Sequence, residues 1–415
     1  MATYQLNAAD LITLLASTVQ STTGGEILDT LIHNGEFPGP IGSLYHVETQ
    51  VGPSGGSSLP TQDDTIAAGT QLELIDLPTS TRVTGSVFPA PTVGPATPVT
   101  TFNFLSPGNV VIAAGDQAVT VIDSGPGGDT LVGGAGSERL RSVSGANVLV
   151  AGTGHNTLVG GTGADTLIGA GNTRLVAGSG DQTLIGGVIA GAHDTLLGGS
   201  GADLLKVSQG SNRLVGGTGL NTLLGGSGAD TLLGGGHSSL VAGSGDNVLK
   251  GGVKGGADTV IGGVGHDTLQ GFGGTTSIVA GSGDTRIVSA GGANTLLGSS
   301  GADTLLASGG TSASMVGGSG FTRFVDVAHV NTTIVGGAGG DRVVLGAGPG
   351  DDSIQSGGGA MSIASLQSAS NLVSNTSTAV GGLHTLTFSD GQVITINDAN
   401  ANITIHFAGG GTTTV

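Results

Sequence analysis

Carboxylates are the one chemical group that this sequence repeats at a fixed interval. Between Gly128 and Asp352 a polar residue recurs just ahead of a Thr-Leu pair or a close variant of it, mostly at nine-residue steps. Ser227–Gly235 reads SGADTLLGG, and clear copies stand at Gly128–Leu131, Ala164–Leu167, His193–Leu196, His266–Leu269 and Ala302–Leu305. The polar position is Asp at Asp129, Asp165, Asp194, Asp203, Asp230, Asp258, Asp267, Asp303, Asp341 and Asp352. Asn, Thr, Ser and Gln hold most of the others. Periodic carboxylates suit cations. The formal net charge of −18 points the same way, as do the eleven acids and single base, Arg82, of the first 123 residues. Such a charge disfavours nucleic acid and anionic membranes as partners.

A short fixed period is the signature of a solenoid, in which each repeat is one turn stacked on its neighbours. The pattern GGxGxDTLxGG resembles the nonapeptide of the RTX (repeats-in-toxin) family, the calcium-binding parallel β-rolls of secreted bacterial proteins. The resemblance covers over half the chain. It implies an all-β fold, a parallel β-roll or β-solenoid of nonapeptide turns with two turns per coil. It further implies that turn carbonyls and the loop Asp offer oxygens to Ca²⁺, a hard cation that takes about six to eight of them. The ten Asp residues are then the candidate metal ligands. Proteases, lipases, toxins, adhesins and surface-layer proteins all carry this repeat, so the resemblance speaks to fold more than to activity.

Two turns per coil sort the polar positions onto two edges. The first edge runs 129, 147, 165, 182, 203, 221, 238, 258, 276, 294, 313, 332 and 352. The second runs 138, 156, 173, 194, 212, 230, 247, 267, 285, 303, 322 and 341. Arg174, Arg213, Arg286, Arg323 and Arg342 each follow a second-edge position. Either Asp and Arg partly alternate up that edge as a charge ladder, or these Arg residues point outward as solvated charges. The residue after the inward Leu is aliphatic from Val132 to Val335 with few exceptions, among them Lys206, Lys250 and Gln270. Strand alternation turns it outward. An apolar stripe of that length is either an interface or is covered, unless a wider coil buries it.

The elements that must position these turns follow from composition. With 84 Gly, 3% aromatics and no Trp, the chain is not built around one large globular core. Its positive mean hydropathy and plentiful Leu, Val and Ile argue against disorder. No Cys is present, so no disulfide framework exists. Residues 1–35 read as a short helical segment, with an amphipathic helix over Asn7–Gln20 and a second over Glu26–His33. Residues 36–108 hold most of the 12 Pro and read as a strand- and loop-rich region with extended pieces at Gln71–Leu77 and Thr100–Leu105. The solenoid spans 109–355. Within it Leu149–Arg213 and Leu214–Ser277 align as a duplicated block. Residues 356–415 form a C-terminal β segment, with strands at His384–Asp390 and Gln392–Asn397 around Gly391. This segment is either a cap or, as the resemblance implies, an uncleaved signal for type I secretion from a Gram-negative bacterium.

Other motifs carry little. Gly52–Gly56 fits G-x-S-x-G, but one residue in five is Gly and no strand–helix hydrolase pattern surrounds it. No H-E-x-x-H or phosphate-loop motif occurs, the nine His are scattered, and no cofactor other than Ca²⁺ is implied. No run of apolar residues is long enough to span a bilayer, so membrane insertion is not expected. The sequence thus reads as a secreted, extracellular or cell-surface, non-enzymatic calcium-binding solenoid. It serves as a structural subunit of a fibre, matrix or surface layer, partnered by itself, by calcium and by cell-surface or polysaccharide contacts. The alternative is a monomeric calcium-binding adhesion or ligand-binding module.

Overall fold

The computed structural model describes residues 120–415 except 125, 127, 134–136, 153, 188, 253–254, 328–329, 378–381, 398–402 and 415. Ahead of these it describes five strands, Ala2–Leu6, Tyr45–Val51, Leu72–Asp76, Thr101–Phe104 and Val111–Ala113. The helices expected within the first 35 residues and the G-x-S-x-G stretch at Gly52–Gly56 lie outside the described residues.

The fold is an all-β parallel β-solenoid of about 12 turns. Each Thr-Leu-aliphatic triplet is one short strand, such as Thr157–Val159 or Thr231–Leu233. Its central residue points inward and its outer two point away, as strand alternation requires. The inward column is closed to solvent at Leu140, Leu149, Leu158, Leu167 and Leu175, and again at Leu223, Leu232, Leu240, Leu249 and Val260. Partners lie one coil away: Thr157 registers with Arg139 on one side and Arg174 on the other, and Thr166 with Val148 and Thr183. Strands that follow first-edge positions therefore stack into one parallel sheet, here the first sheet. Those that follow second-edge positions stack into the second sheet. The edge assignment read from sequence is the one observed.

The chain divides into two compact units, Met1–Arg213 and Leu214–Val415. The boundary falls where the duplicated sequence blocks meet. In the second unit the strands lengthen to five residues or more from Arg286–Ala290 to Thr404–Ala408, and larger side chains fill the interior, with Phe324 fully enclosed. Beyond Met361–Ser368 the parallel pattern gives way to antiparallel pairs. Leu383–Phe388 pairs with Leu372–Ser377 and with Val393–Asn397, the latter across Gly391 at φ +92°. Val393–Asn397 then lies parallel to Asp351–Gln355, and Thr404–Ala408 parallel to Met361–Ser368. These strands pair edges that would otherwise template further chains.

The turns are as tightly stacked as the sheets. Gly163 has φ +132°, and a Cβ there would overlap the carbonyl oxygen of Gly145 one coil before. Its N–H donates to the Ser179 carbonyl at 3.0 Å. Gly163→Ala is expected to lower stability by about 2–4 kcal/mol, combining the backbone penalty with overpacking. Chemical denaturation of the purified variant checks this, and a neutral result would mean that adjacent turns are looser than drawn.

Candidate metal centre

All ten candidate Asp residues sit at the coil corners with between 1% and 4% of their surface exposed. Each stands two residues before an inward-facing strand residue, so alternation points it inward too. In most of them one carboxylate oxygen accepts the backbone N–H of the corner residue one coil earlier. Asn147 donates to Asp165 at 2.8 Å, Thr173 to Asp194 at 2.6 Å, Gln182 to Asp203 at 3.0 Å and Thr285 to Asp303 at 3.0 Å. In Asp165, Asp203, Asp230, Asp267, Asp303 and Asp341 the other oxygen accepts an N–H from its own turn, four residues back. Gly161 donates to Asp165 at 3.0 Å, Gly226 to Asp230 at 3.1 Å, Gly263 to Asp267 at 2.7 Å and Gly337 to Asp341 at 2.7 Å. Asp194 and Asp258 close longer turns and are reached from Gly187 and Gly252. The same side chain thus pins its turn and ties one coil to the next.

Asn at a corner does something that Asp cannot. Its Oδ1 repeats the coil-to-coil bond, as from Asp129 to Asn147 at 2.7 Å, Glu138 to Asn156 at 2.7 Å and Asp230 to Asn247 at 2.8 Å. Its Nδ2 then donates to a turn carbonyl: Ser144 from Asn147 at 2.9 Å, Gly152 from Asn156 at 2.8 Å and Gly245 from Asn247 at 2.9 Å. An Asn turn therefore satisfies its carbonyls from within. A carboxylate brings only acceptors to a turn whose carbonyls are also acceptors, and a bound cation satisfies both. This is the observation on which Ca²⁺ fits the Asp turns. Among the described residues no group of three or more His, Cys, Asp or Glu side chains converges on a metal position. An ion held here draws most of its oxygens from the backbone, as a hard cation readily does.

Burial has an electrostatic consequence. Desolvation raises the pKa of Asp165, Asp194, Asp303 and Asp341 above the usual Asp value, against the hydrogen bonds that lower it. Asp341 Oδ1 and Asp352 Oδ1 are buried with no hydrogen-bond partner. The strongest case is Asp352, pushed up to about 8 by its burial and then by the neighbouring Asp326 charge. Asp326 is 3% exposed, and with Asp352, Gly346, Gly348, Gly350 and Gln392 it lines a shallow cleft. Gln392 Nε2 donates to both Asp352 Oδ2 and the Gly346 carbonyl, each at 3.2 Å. Two facing carboxylates, Asp326 and Asp352, thus stand beside a Gly-rich loop.

Asp326 was not among the sequence candidates because it falls out of phase with the nonapeptide. It ends the strand Thr322–Asp326, and alternation from the inward Phe324 was the signal that could have found it. The Asp–Arg charge ladder is not what the structure shows. Arg174, Arg213, Arg286, Arg323 and Arg342 occupy outward strand positions and are exposed, while the corner Asp residues are buried. Adjacent strand residues point to opposite faces, so an Arg directly after a corner Asp cannot meet it. The second-edge column is made instead of buried Asp, Asn and Thr residues after Glu138, tied coil to coil by the Asp and Asn side chains.

The family model described as RTX calcium-binding nonapeptide repeat matches residues 141–173, 168–205, 207–238, 254–287 and 279–311. No curated protein and no solved structure matches the chain. The matched segments take in Asp165 to Asp303, with the corner carboxylates and glycine turns described above, and such repeats bind calcium. These segments carry the RTX calcium-binding nonapeptide repeat.

Proposed function

We propose that Asp129, Asp165, Asp194, Asp203, Asp230, Asp258, Asp267, Asp303, Asp341 and Asp352 hold Ca²⁺ with the carbonyls of their turns. We further propose that the protein is a secreted, non-enzymatic structural subunit of an extracellular fibre, matrix or surface layer, which associates with copies of itself. The observation that carries this reading is the outward face of the first sheet in the second unit. There Leu224, Val241, Ile261, Val279, Leu297, Val316 and Val335 stack in continuous register, each half-buried. Beside them run Thr222, Ser239, Thr259, Ser277, Thr295, Ser314 and Thr333. Seven coils at about 4.8 Å give an uncharged strip roughly 30 Å long. Regular flat faces of this kind suit packing of one sheet on another, at about 10 Å separation.

Negative-stain microscopy and light scattering of the full chain, with Ca²⁺ and with chelator, test the assembly. Ordered polymers or oligomers are expected with Ca²⁺. Ile261→Lys places a charge in the middle of the strip and is expected to reduce assembly at least tenfold while leaving the circular dichroism spectrum unchanged. Monodisperse protein under both conditions, or assembly indifferent to this substitution, would overturn the reading.

A further inference from the structure

The second sheet presents a different face. In the first unit its outward column reads Arg139, Thr157, Arg174, Thr195, with Arg213 bonded next in line through its N–H to the Asp194 carbonyl at 2.9 Å. Cations thus stand on alternate coils with Thr between them. The second unit repeats the interval independently. Lys250 registers with Gln270 and then with Val288 on the strand of Arg286; Arg286 registers with Thr304, and Thr304 with Arg323. Arg342 follows directly on Arg323.

The segregation of charge is as regular as the spacing. Of the described Lys and Arg residues only Lys206 stands on the first sheet; the others belong to the second. None of the outward positions on the second-sheet strands from Arg139 to Leu345 is acidic. The acids lie elsewhere, buried at corners or exposed in turns, as Asp181, Asp246 and Asp284 are. A chain of net charge −18 therefore holds, in each unit, a purely basic strip. The neighbouring outward column is largely aliphatic, with Val159, Val176 and Leu197 in the first unit and Leu306 and Val344 in the second.

We propose that this face binds a linear acidic polysaccharide carrying one carboxylate per disaccharide. Two coils span about 9.6 Å, close to the length of an extended disaccharide. Arg forks at that interval match successive carboxylates. The Thr hydroxyls between them meet sugar hydroxyls, and the aliphatic column meets the apolar faces of sugar rings. Nucleic acid fits less well. Its phosphates are closer together than the cations, and the exposed Asp246 and Asp284 stand in turns leading into this sheet and repel a densely charged strand. The assignment deepens the matrix role proposed above but does not depend on self-association, because the Arg residues and Ile261 lie on different sheets.

The test uses the full calcium-loaded chain and three probes: hyaluronan, which has one carboxylate per disaccharide; neutral dextran; and a single-stranded oligodeoxynucleotide. Affinity electrophoresis across a salt series reads binding. Hyaluronan is expected to bind best, with affinity falling as salt rises. R174Q/R213Q/R286Q/R323Q is expected to weaken binding at least tenfold with an unchanged circular dichroism spectrum, whereas K206Q on the first sheet has no effect. T195R combined with R213T keeps the charge but breaks the interval, and is expected to weaken binding several-fold. Equal binding of dextran, tighter binding of the oligonucleotide, or retention of affinity by the fourfold variant would overturn the proposal. Unchanged affinity of the rearranged variant would overturn its spacing element.

Discussion

Stripped of divalent cations, the protein is expected to become more stable as the pH falls from about 8 toward 4. A buried carboxylate whose folded pKa is raised binds its proton more tightly folded than unfolded. Between the ordinary Asp value of 3.8 and the raised one, the folded state therefore holds the extra proton, and stability falls as pH rises. For Asp352 that window runs from 3.8 to about 8. Asp165, Asp194, Asp303 and Asp341 shift in the same direction through desolvation. Asp390 shifts the other way, held low by the Gln367 amide, but it is exposed and contributes little. Calcium takes over the proton's role. With saturating Ca²⁺ the slope is expected to flatten or reverse, and calcium binding below pH 8 releases protons at the Asp326–Asp352 corner. Thermal unfolding in chelator and in Ca²⁺ across pH 4 to 9 reads both effects. Stability that climbs with pH in chelator would show that the corner carboxylates are not buried as charges. Asp326→Asn removes the facing charge, and is expected to lower the top of this window and to weaken calcium binding at that corner.

Legibility in the sequence followed the period. A nine-residue spacing carries its own register, so the stacking, the two edges and the inward Leu column could be read before any coordinates. Corner Asp residues were visible for the same reason. Asp326 was missed because it obeys the strand period of two rather than the repeat of nine. The placement of the Arg residues shows a second limit. Spacing tells which coil a residue joins, while alternation within the strand tells which way it faces. Applied one residue past each corner, the period of two separates Arg from Asp and gathers the Arg residues on an outer face. Nothing in the repeat pattern signals what an Asn corner achieves, because the difference from Asp lies in one donor atom aimed at a turn carbonyl.

That donor makes Asn247 the most informative single position. It lies between Asp230 and Asp267 on the second edge and bonds to both. Asp230 donates its N–H to Asn247 Oδ1 at 2.8 Å, and the Asn247 N–H donates to Asp267 Oδ1 at 3.0 Å. Its Nδ2 reaches the Gly245 carbonyl at 2.9 Å and Asp267 Oδ1 at 3.1 Å. Asn247→Asp keeps the shape and the coil-to-coil acceptor but replaces that donor with charge. It sets three carboxylates in consecutive buried coils. In chelator at pH 7.5 the variant is expected to lose about 3–5 kcal/mol, the scale of an uncompensated buried charge. Asn247→Ala loses the cap without adding charge and is expected to cost about 1–3 kcal/mol. Calcium separates the two. The Asp variant gains an oxygen where the wild type has a nitrogen, so saturating Ca²⁺ is expected to recover most of its loss and to raise the number of ions bound. The Ala variant has no ligand to offer and recovers nothing beyond wild type. Equal losses in chelator, or an Asp variant that calcium does not rescue, would mean that Asn and Asp corners do not differ in their need for an ion. The expected pattern instead makes the Asn-for-Asp exchange along each edge the feature that sets how many coils depend on calcium.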